Sequence, residues 1–143
     1  NWATCDQLPV RVLAEKSDRT LECVRRWMDS GHGFTVRFGI GVLMRLFLDD
    51  LFEPRFAAMA AAARMPGSPE RPEPESDAYY VDMMRAWYFA VALVRQPMAA
   101  WPYVERRDEC ALLDEWTRRK AIQKACESRR ISVEAKERLR SFR

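Results

Sequence analysis

Apolar residues recur at intervals of three and four along almost the whole chain, which is the spacing of a helix face and not the alternation of a strand. The pattern predicts a first helix from about Trp2 to Lys16, disturbed at Pro9, and a second from about Thr20 to Asp29, with Leu21, Val24 and Trp27 along it. Gly31-His32-Gly33 then stops that helix, and His32, between two glycines, reads as a turn residue. A third helix, Phe34 to Asp49, is apolar nearly all round through Phe38, Ile40, Val42, Leu43, Leu46 and Phe47, which predicts a buried central helix. A fourth spans about Pro54 to Arg64, with proline at its first position. A fifth, Ala78 to Arg95, carries Tyr80, Met84, Trp87 and Val91 about one turn apart. A short sixth, about Pro97 to Asp108, is interrupted at Pro102, and a seventh runs from Leu112 to Ser128. The last begins at Ser132, where Ser132 and Ala135 do not form a capping box but Glu134 suits the positive end of the helix dipole.

Between the fourth and fifth helices lies PGSPERPEPES at 66–76, the heart of a Pro-rich insertion at 65–77 that reads as a loop or extended spacer. No strand candidate exceeds a few residues. Short links between helices force antiparallel neighbours. Three segments resemble one another, FTVRFGIGVLM, YYVDMMRAWYFA and WTRRKAIQKACES, each the second and more central helix of a pair. Matching Arg37 to Met83 gives a period of 46 residues, near the ~40–47 of HEAT-type repeats. The expected fold is all-α, one domain over 1–143, with antiparallel helix pairs stacked as a HEAT-like superhelix. The helices starting near Phe34, Ala78 and Leu112 should line one face.

Composition fits that picture. A chain of 143 residues, 48% hydrophobic and 31% charged, buries enough surface to fold without a metal or disulfide. No apolar run reaches the ~18 residues of a membrane span, and no leader precedes the first helix, so a cytoplasmic protein is expected. Cys5, Cys23, Cys110 and Cys126 share no CxxC spacing and His32 is the single histidine, so reduced thiols, no metal and no cofactor are expected. The net charge of +3 hides an asymmetry. Residues 118–143 hold ten Lys/Arg against three Asp/Glu, and the rest of the chain is net acidic. Such a basic end suits a polyanion, and equally suits a solvated helix face. The start at Asn1-Trp2, without an initiator Met, reads as a piece of a longer protein.

Four stretches carry a resemblance: NWATCD at 1–6, FTVRFGIGVLM at 34–44, YYVDMMRAWYFA at 79–90 and RRKAIQKACESRRIS at 118–132. In this order they resemble the carboxy-terminal part of the AlkD-type DNA glycosylases, HEAT-like-repeat enzymes that remove alkylated purines from double-stranded DNA. The resemblance implies a concave cleft holding two tryptophans, an aspartate and an arginine. Position by position these fall on Trp2, Asp6, Arg37 and Trp87. A further arginine that some members place one turn after the second tryptophan is absent, since Tyr88, Phe89 and Ala90 stand there.

The implied reaction is hydrolytic excision of cationic bases of the 7-methylguanine and 3-methyladenine type, with Asp6, Trp2 and Trp87 as its catalytic residues. Breaking the glycosidic bond builds positive charge on the sugar. A carboxylate at Asp6 would stabilise that charge, indole faces at Trp2 and Trp87 would attract the cation, and Arg37 would clamp a phosphate. The resemblance also implies that the damaged base need not be flipped into a pocket. Candidate phosphate contacts in the basic end are Arg119, Lys120, Lys124, Arg129 and Arg130. Other readings stay open. Trp2 and Trp87 suit a helical core, Asp6 suits a helix start, and an Arg37 in an apolar helix needs a cleft or a carboxylate partner. A helical-repeat layer can also serve as a DNA- or protein-binding scaffold with no chemistry.

Overall fold

The computed structural model describes residues 1–106 and 113–143. Among the described residues there are nine helices and no strand: α1 (Trp2–Gln7), α2 (Arg11–Ala14), α3 (Ser17–Met28), α4 (Gly33–Leu46), α5 (Pro54–Ala62), α6 (Asp77–Arg95), α7 (Pro97–Val104), α8 (Glu115–Glu127) and α9 (Val133–Ser141). The expected single helix Trp2–Lys16 is two short ones. Pro9 lacks an N–H and pushes Leu8 into an extended conformation (φ −58°, ψ 130°), which ends α1. The expected third helix stops at Leu46, three residues early, and α3 begins at Ser17. The expected sixth-helix end at Asp108, the seventh-helix start at Leu112, and Cys110 lie outside the described residues.

The fold is an all-α helical repeat of stacked helix pairs. α4, α6 and α8 lie side by side and run in one direction. At their starts Phe34 meets Tyr80, ring centres 5.6 Å apart, and Tyr79 meets Trp116 at 5.6 Å. Further along, Gly41 faces the Met84 methyl. α1 extends the same row, with Cys5 at the Phe34 carbonyl and Asp6 beside Arg37 and Arg45. The companions pack behind: α3 on α4 through Trp27 and Phe38 (5.1 Å), α7 on α6 through Phe89 and Tyr103 (4.8 Å), and α9 on α8. The core between them is apolar, with Ile40, Leu43, Met84, Phe89 and Ile122 fully or almost fully buried.

Local chemistry sets the joints. Gly31 turns the chain between α3 and α4 at φ +73°, where a side chain would be strained. Gly33 lets the start of α4 press against α6, because a Cβ there would sit 2.6 Å from the Asp77 side chain. Ser76, Asp114 and Ser132 cap α6, α8 and α9 by accepting from the amides of Tyr79, Thr117 and Ala135. The Pro-rich segment is a loop that folds back on the body: Arg64 donates to the Pro69 carbonyl and Pro72 is buried.

A fully buried arginine joins three of these elements. Arg85 of α6 donates through Nε to the Ala60 carbonyl (3.3 Å) and through Nη2 to the Ala61 carbonyl, both at the end of α5. Its Nη1 reaches Asp82 Oδ1 and Asp114 Oδ2, each at 2.6 Å, and Thr117 Oγ1 at 3.3 Å. Asp114 is also the cap of α8, so one side chain holds the end of α5, the middle of α6 and the start of α8. Removing one partner of a buried pair strands the other charge, at about 3–5 kcal/mol. Arg85→Ala is therefore expected to lose about that much stability in urea unfolding. Arg55→Ala, which breaks an exposed pair with Glu53, should change stability by less than about 1 kcal/mol. Equal small losses in the two variants would refute the role given to Arg85.

Candidate functional site

The four residues that the resemblance singles out fall into two places. The first is the junction of α1, α4 and α6. Arg37 is 6% exposed in a largely apolar helix, so its charge must be answered inside the protein. Its Nε donates to Asp6 Oδ1 (3.0 Å) and its Nη2 to Asp6 Oδ2 (2.6 Å), a two-pronged pairing across 31 residues. Its Nη1 donates to the Tyr80 carbonyl of α6 (2.8 Å). Arg37 thus points at a carboxylate, and only two of its five N–H donors remain for any other ligand. Arg45, two turns further along α4, donates to the Asp6 and Leu8 carbonyls at 3.3 and 3.1 Å and so closes the end of α1. Trp2 opens α1, one turn before Asp6, with 47% of its surface exposed.

The second place lies between α6 and α8. Trp87 is 40% exposed and borders an open cavity of about 480 Å³. Val91, Arg95, Lys124 and Arg130 share the cavity with it. Asp6 and Arg37 are not among its lining residues. Tyr88 and Phe89 are fully buried and cannot reach a ligand, while Ala90 lines the cavity as a small apolar surface. Cations at this cavity therefore come from α8 and the segment after it, and from Arg95 at the end of α6, which is shared with Asp49 (3.1 Å).

The remaining basic candidates divide. Arg119 is exposed and tied to Glu115 at 2.7 Å. The Lys120 ammonium stands 5.7 Å from the centre of the Trp116 ring. Both border a further cavity of about 620 Å³, with Arg71 of the Pro-rich loop, Trp116 and Arg143. Arg129 is exposed in the turn between α8 and α9. Arg118 belongs to the interior: it donates to the Val104 carbonyl (3.1 Å), to the Phe142 carbonyl and to Glu115.

Sequence reasoning overlooked Arg45, Arg71 and Trp116. Arg45 follows Arg37 by eight residues, two helical turns, and so shares its face. Trp116 stands two residues before the basic run at 118–120. Arg71 had no local signal, because only the backward fold of the loop brings it to α8.

The Glu115 carboxyl is pushed down to about 2 by hydrogen bonds from Arg118 and Arg119 and by the charge of Arg106. A depressed folded value stabilises the fold above the ordinary 4.5, and that contribution disappears as pH falls toward 2. Asp114 moves the same way, since the Thr117 amide and Arg85 outweigh the effect of burial. Asp82 moves upward because burial dominates there. Glu115→Gln is expected to be less stable than the unchanged protein at pH 7, with the gap closing between pH 4.5 and 2. Urea midpoints across that range test it, and a gap independent of pH would contradict it.

No helix among the described residues is long and apolar enough to cross a membrane. No protein-family model matches the chain, and no curated protein or solved structure is significantly similar to it.

Proposed function

We propose that this chain carries the lesion-binding half of a DNA glycosylase similar to the AlkD type, which excises cationic alkylpurines such as 7-methylguanine and 3-methyladenine from double-stranded DNA by hydrolysis. One observation carries the reading: two residues singled out from separate stretches, Asp6 and Arg37, meet in a two-pronged pair at the junction of three helices. In this reading Asp6 is the catalytic carboxylate. A cationic base is already a good leaving group, so the barrier lies in the positive charge that grows on the sugar as the bond breaks. A fixed carboxylate is worth most at that moment, and its two lone pairs not taken by Arg37 are free to hold the attacking water.

Arg37 fixes the Asp6 carboxylate and turns its outer edge toward DNA, which makes it a positioning residue more than a phosphate clamp. Trp2 offers its indole face to the lesion nucleotide beside Asp6, and Trp87 offers a second one from the separate cavity between α6 and α8. Lys124, Arg129 and Arg130 hold phosphates on the Trp87 side, and Arg119 and Lys120 do so nearer the start of α8. The chemistry asks for no metal or cofactor and takes place in the cytoplasm, where the thiols of Cys5, Cys23 and Cys126 stay reduced.

Asp6→Asn keeps the shape and removes the charge. It is expected to slow single-turnover release of 7-methylguanine by the full-length protein by about 10²-fold while leaving DNA affinity within about threefold. Arg37→Ala should slow release comparably, because the carboxylate loses its support. DNA affinity should fall steeply with salt, by about 0.9 in log K per log unit of salt for each phosphate contact. Release by Asp6→Asn at the unchanged rate would reject the catalytic assignment. The helical layer would then stand as a binding scaffold, in which the Asp6–Arg37 pair is purely structural.

A further inference from the structure

We propose that the exposed face of α8 is a track for a single strand of nucleic acid, with Trp116 as a base-stacking platform. The inference shares the α8 cations and Trp87 with the excision reading and goes beyond it by adding Trp116 and Arg71 and by naming an unpaired strand as ligand.

The argument starts from spacing. Lys120 and Gln123 border the Trp116 cavity, and Lys124 and Glu127 border the Trp87 cavity. Lys120 and Lys124 are one helical turn apart, so the two cavities adjoin along one helix face. From Trp116 to Lys124 is eight residues, about 12 Å of helix, too far for a single phosphate to bridge. The face thus offers a partly exposed indole at one end, Trp116, and a more exposed one at the other, Trp87, with lysines between them. Alternation of aromatic and cationic groups along a groove is the arrangement that holds unpaired bases and their backbone together.

Charge and shape narrow the ligand. Arg71, Arg119, Lys120 and Arg143 stand at the Trp116 cavity against Glu70 and Glu115, and Glu115 is engaged by both Arg118 (2.8 Å) and Arg119 (2.7 Å), so Arg71, Lys120 and Arg143 are the cations that outnumber Glu70 there. About 620 Å³ of open space beside the indole lies within the ~300–1,000 Å³ range of ligand sites. An acidic peptide would answer the cations but bring no planar base to the Trp116 indole, which otherwise meets only Tyr79 and the Lys120 ammonium. Arg71 reaches this place because the Pro-rich loop folds back, held by Arg64 on the Pro69 carbonyl. The insertion therefore supplies one wall of the track.

The test is fluorescence anisotropy of a fluorescein-labelled 12-mer oligothymidylate, which contains no purine and so reports nothing about excision. Trp116→Ala is expected to weaken binding about tenfold, and Trp116→Phe to keep most of the affinity. Arg71→Gln, at an exposed position of the loop, should lower the slope of log K against log salt by about 0.7. Arg55→Gln, on another surface, should leave both quantities unchanged. If Trp116→Ala misfolds through loss of its contact with Tyr79, Arg71→Gln decides the matter alone, and an unchanged affinity and slope there overturns the proposal. Unchanged affinity and slope in Arg71→Gln together with unchanged affinity in Trp116→Ala would overturn the proposal. So would displacement of the oligonucleotide by polyglutamate as readily as by unlabelled oligothymidylate. Loss of excision in Asp6→Asn bears on the catalytic reading alone.

Discussion

The structure depends on how the orphan carbonyls at helix ends are satisfied. The last carbonyls of an α-helix have no partner within it, and in a stack of short helices many of those ends are covered by the next element. Here arginines of the central row do the work. Arg45 of α4 takes the Asp6 and Leu8 carbonyls at the end of α1. Arg85 of α6 takes Ala60 and Ala61 at the end of α5, and Arg118 of α8 takes Val104, the last residue of α7. A guanidinium suits the task because its planar fork addresses two or more acceptors at once and keeps its charge when buried. A cation at a helix carboxy terminus also meets the negative end of the dipole.

The same requirement shapes the candidate site. Arg37 shares the central row with the three end-closing arginines and, like Arg85 and Arg118, is buried and meets a carboxylate as well as a carbonyl. The pairing ties α1 to α4, and the Tyr80 carbonyl ties both to α6. A residue so committed keeps only two N–H donors for a phosphate, and the other three hold α1 and α6 in place. Any chemistry at this junction therefore belongs to Asp6, whose side chain is the more open of the two (17% against 8%). Structural and catalytic roles for the pair do not compete: a carboxylate can be placed accurately only if something buried holds it.

The all-helical repeat was legible because hydrophobic period and short links are properties of local sequence, and three similar segments repeat them. Helix ends were less so. The break at Leu8–Pro9 was signalled by Pro9, yet its depth depends on Arg45, which closes α1 from a distant helix. Asp6 and Arg37 were visible as candidates, but their pairing was not, because no local pattern tells a residue which partner lies 31 positions away. Arg85 escaped notice for a related reason. In sequence it is one more charge among MMRAWYFA, and only the stacking of α5, α6 and α8 surrounds it with acceptors.

The basic end of the chain looks different once side chains are assigned. Arg118 is spent on carbonyls and Glu115, and Arg138 stacks over Trp101 (4.4 Å) and pairs with Glu105. Formal charge thus overstates what faces outward, and position decides the rest. At physiological salt, fields fade over about 8 Å, less than the length of α8, which at 13 residues is about 20 Å. The two ends of α8 are therefore electrostatically separate, and each must bring its own cations to an anionic ligand. Arg71 and Arg119 serve the Trp116 end, and Arg95 and Arg130 serve the Trp87 end. Lys120 and Lys124, one turn apart between them, make a continuous surface of two places that would otherwise act alone. The Pro-rich loop, with Pro72 buried and Arg64 on the Pro69 carbonyl, brings Arg71 to that surface from a distant part of the sequence.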